Sequence, residues 1–185
     1  MSDNITEVQS VYISSRCLYS KAQVEQALDK MAITITEELS ESNPVILCVL
    51  TGAIIPMGHL LTRMDFPLEI DYVHATRYQG KTVGKELQWL AKPRIDLTGR
   101  NVLIIDDILD EGHTLKGIID YCQQQGANSV QSAVLVEKYH DRRVKDLSAD
   151  YVGLGVDDFY VFGYGMDYKD YLRNAPGIYA VTEED

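Results

Sequence analysis

Apolar positions in "SKAQVEQALDKMAITITEELS" recur at three- and four-residue intervals, with Val24, Ala27, Leu28, Met31, Ile35 and Leu39 on one stripe. That period predicts an amphipathic helix, and Ser20 with Gln23 makes a capping box at its entry. After Asn43-Pro44 the pattern changes to a continuous apolar run, "VILCVL", stopped by Thr51-Gly52, and then to helical spacing in "AIIPMGHLLTRM". "LEIDYVHA" reads as a strand with alternation. "NVLII" at Asn101 to Ile105 is another buried strand, and "TLKGIIDYCQQQG" is a helix with Leu115, Ile118, Ile119 and Cys122 inward and Gly126 as its stop. "VQSAVLV" and "DYVGLGV" are further strands.

Continuous apolar strands are buried on both faces, the habit of parallel sheets covered by helices. Alternation of such strands with helices predicts an α/β fold with a central, mainly parallel sheet of roughly five strands. One segment breaks the pattern. From Thr76 to Arg94 the chain turns polar and glycine-bearing around "GKTVGKELQWLAKPR", too polar for core and too long for a simple turn, which reads as a mobile flap. The aromatic tail "YVFGYGMDYKDYLRNAPGIYAV" predicts short strands and turns. No linker or repeat divides the chain, so residues 1–185 read as a single domain.

Composition adds exclusions. With 185 residues, 45% of them hydrophobic and 24% charged, the chain is long enough for one domain with a substantial core. A formal net charge of −11 disfavours nucleic acid and anionic membranes as partners, since both attract positive fields. Cys17, Cys48 and Cys122 share no C-x-x-C spacing and sit among apolar residues, which predicts buried free thiols in a reducing compartment, the cytoplasm. "MSDNITEVQS" lacks the layout of a signal peptide, and no run approaches the length of a membrane span.

The chemistry concentrates in "IIDDILDEGHT", Ile104 to Thr114, where four carboxylates cluster about a glycine turn that opens a helix. An Asp-Asp-x-x-Asp diphosphate motif belongs on a helix, whereas Val102 to Ile105 favour a strand. "GHTLKGII" lacks the lysine and hydroxyl of a phosphate-binding Walker loop, "GKTVGKE" fails on spacing, and no G-x-G-x-x-G occurs. Packing this much negative charge at the end of a buried strand requires a complement. A sugar phosphate supplies one: carboxylates accept hydrogen bonds from vicinal ribose hydroxyls, and turn amides with the helix amino terminus hold the phosphate. A divalent cation neutralises the remainder.

Four apolar residues, an acidic pair, two more apolar residues and Asp-x-Gly-x-Thr resemble the phosphoribosyl-diphosphate motif of type I phosphoribosyltransferases. "LTGA" at Leu50 to Ala53, Tyr78, "LVEK" ending in Lys138, and "YVFGYGMDY" leading to Arg173 resemble the hypoxanthine-guanine branch, in order and with nearly its spacing. The resemblance implies the type I fold with a small hood from chain-terminal segments, magnesium, and a homodimer or homotetramer. Its implied substrates are phosphoribosyl diphosphate and a 6-oxopurine. It implies that Asp106 and Asp107 hold the ribose hydroxyls and, with Asp167, the magnesium. The loop Asp110, Glu111, Gly112, His113 and Thr114 would bind the 5-phosphate, with Asp110 as acid or base at purine N7. Leu50-Thr51-Gly52 resembles the diphosphate loop, whose peptide is often cis in the family, with the Thr51 and Gly52 amides donating to diphosphate alongside Arg173. Lys138 would bond the 6-oxo group, Tyr160 would stack on the ring, and the Val161 backbone would meet the remaining edge.

Two departures stand out. The family's flap usually has Ser-Tyr where this chain has Arg77-Tyr78, and one extra residue falls between Lys138 and Tyr160, near "YHDRR". Read without the resemblance, Lys138 is a solvated strand-end cation, Asp167 and Arg173 are an ion pair of a tail helix, and core packing claims at least one of Tyr160 and Phe162. His59 and His140 receive no role. Two other readings compete: a noncatalytic RNA-binding regulator on the same fold, disfavoured by the acidic charge, and a xanthine- or adenine-preferring relative.

Overall fold

The computed structural model describes residues 2–77 and 87–182. Helix α1 spans Ser2–Ser14, strand β1 Arg16–Ser20 and helix α2 Lys21–Leu39, followed by β2 at Val45–Val49, α3 at Ile54–Leu61, β3 at Glu69–Arg77 and β4 at Leu87–Ala91. Then come β5 at Asn101–Leu109, α4 at His113–Gln124, β6 at Ser129–Tyr139, β7 at Tyr151–Asp157, β8 at Val161–Phe162 and β9 at Gly177–Ala180.

Six strands form the main sheet in the order β4-β3-β2-β5-β6-β7, all parallel except β4, which runs antiparallel to β3. All five residues of β2 are buried, as its unbroken apolar run requires. The α2 stripe packs inward as the spacing predicts, with Val24, Leu28 and Ile35 fully buried, and the Ser20 amide donates to Gln23 Oε1 at 3.0 Å in the capping box. In α4, Leu115, Ile118 and Cys122 are buried, while Ile119 is half-buried.

A second sheet, β1-β9-β8, is antiparallel and supplies the hood. It joins the two ends of the described chain: Arg16 pairs with Ala180, and Val161 pairs with Ala180 from the other side. The Tyr19 hydroxyl of β1 donates to Gly155 O of β7 at 2.6 Å, fastening the hood to the edge of the main sheet.

Several expectations change. The polar segment Thr76 to Arg94 contains strand β4, whose residues 87–91 alternate between half-buried and exposed; the rest of the flap, 78–86, lies outside the described residues. Cys17 is exposed, not buried, because it belongs to a strand of the thin hood, whereas Cys48 and Cys122 are buried free thiols pushed up to about 11, mainly by desolvation. Strand β3 alternates as its sequence predicts, with Asp71, Val73 and Ala75 facing inward and Ile70 and Tyr72 exposed. Asp71 tolerates that position because its Oδ2 accepts the amides of Arg94 at 2.6 Å and Ile95 at 3.0 Å, and its Oδ1 accepts the Tyr72 amide. Among the described residues, no helix is long and apolar enough to cross a membrane.

Candidate active site

Strand β5 does not end at Ile105. Its pairing with β6 continues through Asp106–Val134 to Leu109–Glu137, so Asp106 and Asp107 lie within the strand and are buried, at 9% and 8% exposure. They are not exposed strand-end acids. Burial pushes the Asp106 carboxyl well above its ordinary value, and the Asp107 charge adds to the effect. Burial also raises Asp107, opposed by Arg173, whose Nη1 lies 4.0 Å from Asp107 Oδ2. Two neighbouring acids with so little cationic compensation are poised to accept hydrogen bonds from a ligand.

The loop after β2 sits directly on this pair. The Leu50-Thr51 peptide is cis, as the resemblance implied. A Cβ on Gly52 would lie 2.0 Å from Asp107 Oδ2, and one on Gly165 would lie 2.1 Å from Gly52 O. The hood loop, the β2 loop and the acid pair therefore meet at backbone contact, which glycine alone permits. Leu50 donates its amide to Val73 O and Ala53 to Val49 O, while the Thr51 and Gly52 amides between them have no acceptor among the described residues.

Past β5 the chain turns through Asp110, Glu111 and Gly112 into α4. Gly112 has φ 84°, and a Cβ there would meet Leu147 Cδ2 at 2.3 Å, so the turn that opens the helix depends on this glycine. A cavity of about 320 Å³ lies over it, walled by the Thr51-Gly52 loop, the acid pair, the turn residues Asp110, Glu111, Gly112 and Thr114 but not His113, and Asp167 and Arg173. Helix amino-terminal amides at the edge of such a cavity suit phosphate.

A second cavity of about 240 Å³ adjoins the first and shares Asp107, Ile108, Asp110 and Asp167 with it. Its other walls are Lys138, Tyr160, Val161 and Met166. Lys138 is not a solvated cation: its side chain is 12% exposed, and Nζ lies 3.1 Å from Asp110 Oδ2 and 3.8 Å from Asp158 Oδ1. Tyr160 is 53% exposed and meets Tyr168 edge-on at 5.7 Å, whereas Phe162 is fully buried, so core packing claims only the second ring. Val161 is buried in β8.

Asp110 belongs to both cavities. Burial raises its carboxyl, but hydrogen bonds from Lys138 and His140 outweigh that, and it sits below its ordinary value. His140 escaped the sequence reading although Lys138 and His140 are two residues apart, the spacing that puts side chains on one face of a strand. Its imidazole is 3% exposed, with Nε2 2.7 Å from Asp110 Oδ1. Asp158, also unforeseen, pairs with Arg142 at 2.7 Å.

Arg173 and Asp167 are ion-paired at 2.7 Å, as expected when they are read without the resemblance, but in a succession of turns and not on a helix. Arg173 also donates to Gly165 O at 2.6 Å, and Asp167 accepts the Asp170 amide. Among the described residues, the metal-ligating side chains that converge within 4.8 Å are Asp110, His140 and Asp158, a different set from Asp106, Asp107 and Asp167. Tyr78 lies outside the described residues.

A parallel sheet whose central strand carries a buried acid pair and leads into a glycine-turned helix, roofed by a hood with a tyrosine-walled pocket, defines an α/β protein with two adjoining cavities at the carboxyl ends of its strands. The profile of the phosphoribosyl transferase domain matches residues 16–170, and the chain belongs to that family. It is 31% identical to the hypoxanthine-guanine-xanthine phosphoribosyltransferase of Tritrichomonas foetus, over 97% of this chain and 98% of that one. It is 35% identical to a hypoxanthine-guanine phosphoribosyltransferase of Staphylococcus epidermidis, over 90% of this chain and 93% of that one. Among solved structures, a hypoxanthine phosphoribosyltransferase of Staphylococcus aureus superimposes with a TM-score of 0.85 at 31% identity, covering 90% of this chain and 91% of that one.

Proposed function

We propose that this enzyme transfers ribose 5-phosphate from phosphoribosyl diphosphate to N9 of hypoxanthine or guanine, yielding IMP or GMP and diphosphate, as a single-domain purine-salvage enzyme. The observation that supports this reading is the pair of adjoining cavities with Asp107, Asp110 and Asp167 in their common wall, one bounded by the acid pair and the glycine turn and the other by Lys138 and Tyr160.

Asp106 and Asp107 accept hydrogen bonds from the ribose hydroxyls, and amides of the turn from Asp110 to Thr114 take the 5-phosphate. The Thr51 and Gly52 amides and Arg173 bind the diphosphate. In the second cavity Lys138 donates to the 6-oxo group, Tyr160 stacks on the ring, and the Val161 backbone meets the pyrimidine edge. The N9–C1′ bond forms as the C1′–O bond to diphosphate breaks, and the N7 proton passes to Asp110, which is ionised and faces both cavities. Orientation and stabilisation of the leaving diphosphate carry this chemistry.

The carboxylates of Asp106, Asp107 and Asp167 are hard oxygen donors whose charge Arg173 balances only in part; they do not converge as one ligand set, so they suit a magnesium ion held mainly through the diphosphate. Bound there, magnesium would neutralise charge on the diphosphate. Tyr78 and its flap would exclude water. We assign the protein to the cytoplasm, on its free thiols, and to a homodimer or homotetramer, which sedimentation would read directly.

Diphosphate release with magnesium, phosphoribosyl diphosphate and each of hypoxanthine, guanine, xanthine and adenine tests the reading. Turnover is expected with the 6-oxopurines and not with adenine. Absence of turnover with both hypoxanthine and guanine overturns it.

A further inference from the structure

Asp110 carries two different donors on its two oxygens. Lys138 Nζ is 3.1 Å from Oδ2, and His140 Nε2 is 2.7 Å from Oδ1. The tautomer follows from the other ring nitrogen: the Arg142 amide donates to His140 Nδ1 at 3.1 Å, so Nδ1 is an acceptor and the ring proton sits on Nε2, aimed at Asp110. His140 is thus a fixed donor to the carboxylate through Nε2, held by a backbone amide, with its imidazole 3% exposed.

A 6-oxopurine with hydrogen on N7 presents an acceptor and a donor side by side, O6 and N7–H. Lys138 and Asp110 Oδ2 form the complementary donor and acceptor, but without a ligand they are bonded to each other. The purine must therefore part them, with Lys138 turning to O6 and Oδ2 turning to N7–H. A carboxylate held by Lys138 alone would be released by that movement.

We infer that His140 is a positioning residue that keeps Asp110 oriented toward N7 when Lys138 leaves it for the purine 6-oxo group; the inference rests on the proposed purine reading of the second cavity. Asp158 has its own retainer in Arg142, 2.7 Å away, so it too remains paired when the ammonium moves. The lysine is then free to read the base while the acid stays in place. This arrangement uses the "YHDRR" stretch in which the chain carries its extra residue.

9-Deazahypoxanthine, which keeps N7–H but has carbon at position 9, measures the contact without reaction. With phosphoribosyl diphosphate and magnesium present, its inhibition constant should rise roughly tenfold in His140→Ala, the effect of losing one hydrogen bond to a charged group. His140→Gln, which can place an amide N–H near the position of Nε2, should recover most of that loss. The kcat for hypoxanthine should follow the same order, while the Kd for phosphoribosyl diphosphate stays unchanged. In an Asp110→Asn background, His140→Ala should cost far less, since the group it orients has already been altered.

No loss of 9-deazahypoxanthine binding in His140→Ala overturns the inference. So does equal weakening of phosphoribosyl diphosphate, which would mark a merely structural histidine, or a Gln variant no better than Ala. Wild-type protein that neither turns over hypoxanthine nor binds the analogue overturns the purine reading itself, and the inference with it.

Discussion

Gly52 and Asp107 approach so closely that a single added methyl on the glycine would sit 2.0 Å from the aspartate Oδ2. The loop proposed to bind diphosphate and the acid proposed to bind ribose therefore cannot be altered independently. Gly52→Ala must displace one of them, and displacement of a substrate-positioning group by about 1 Å is expected to cost on the order of 10²-fold in kcat/KM. Steady-state kinetics beside a thermal melt check this; an unimpaired variant would mean that the two segments yield freely.

Asp106 and Asp107 give an opposite pair of effects. Both are buried acids whose charge is disfavoured in the ligand-free protein. Asp106→Asn should raise the Tm of the free protein at neutral pH by about 2–4 °C, near 1 kcal/mol for a chain of this size. Its affinity for phosphoribosyl diphosphate should fall by roughly tenfold or more, because the charged acceptor is lost. Calorimetry and a melt on the same sample measure both, and a variant that is less stable and binds normally contradicts the assignment.

Lys138→Met keeps the stem and removes the ammonium. Asp110 retains His140 and Asp158 retains Arg142, so stability should move little. Turnover of hypoxanthine should fall steeply, since a site built around one donor discriminates on the order of 10⁴-fold in favourable cases. The check is kcat/KM for hypoxanthine and adenine with both proteins. A variant that keeps the wild-type preference would show that another donor reads the 6-oxo group.

Asp71 predicts a pH dependence away from the site. Desolvation raises its carboxyl, but the Ile95, Tyr72 and Arg94 amides together outweigh that and hold it below its ordinary value. A carboxyl lowered in the folded state stabilises above its unfolded pKa, about 3.9, and loses that contribution as pH falls through the folded value. Asp71→Ala should cost about 1–3 kcal/mol at neutral pH by stranding amide donors. The gap in Tm between wild type and variant should narrow below about pH 4; a gap independent of pH would assign the loss to packing alone.

The same aspartate shows where sequence reading stops. Strand β2 was legible because five consecutive apolar residues leave no choice of face, and α2 because its stripe and cap agree. In β3 the alternation leaves open which face turns inward; three backbone amides contributed partly from residues 94 and 95 bring Asp71 in and leave Ile70 and Tyr72 outside, and no local pattern records such partners. Helix α1 was missed because its inward face is short, Val8 buried with Val11 and Tyr12 half-buried, while Ile5 and Ile13 are 52% and 85% exposed and blur the stripe.

The acid motif and the glycine turn were legible because their chemistry is contiguous. Lys138 on its own reads as a solvated cation, since the carboxylates that enclose it come from Asp110 and Asp158 in other segments. His140 carried a faint signal, its period-two spacing from Lys138, but its partner is thirty positions away in the sequence.

The hood's pairing order also sets when the enzyme can become complete. Strand β9 is the last of the described strands to be synthesised, and it alone bridges β1 and β8. The main sheet and its acid pair require nothing beyond Asp157, whereas Asp167 and Arg173 of the first cavity and Tyr160, Val161 and Met166 of the second all follow it. Closing a loop from Arg16 to Ala180 is the longest-range step in the strand pairing, entropically costly and slow to form. Completion of both cavities is therefore a late acquisition of the chain, separable in time from the folding of its core.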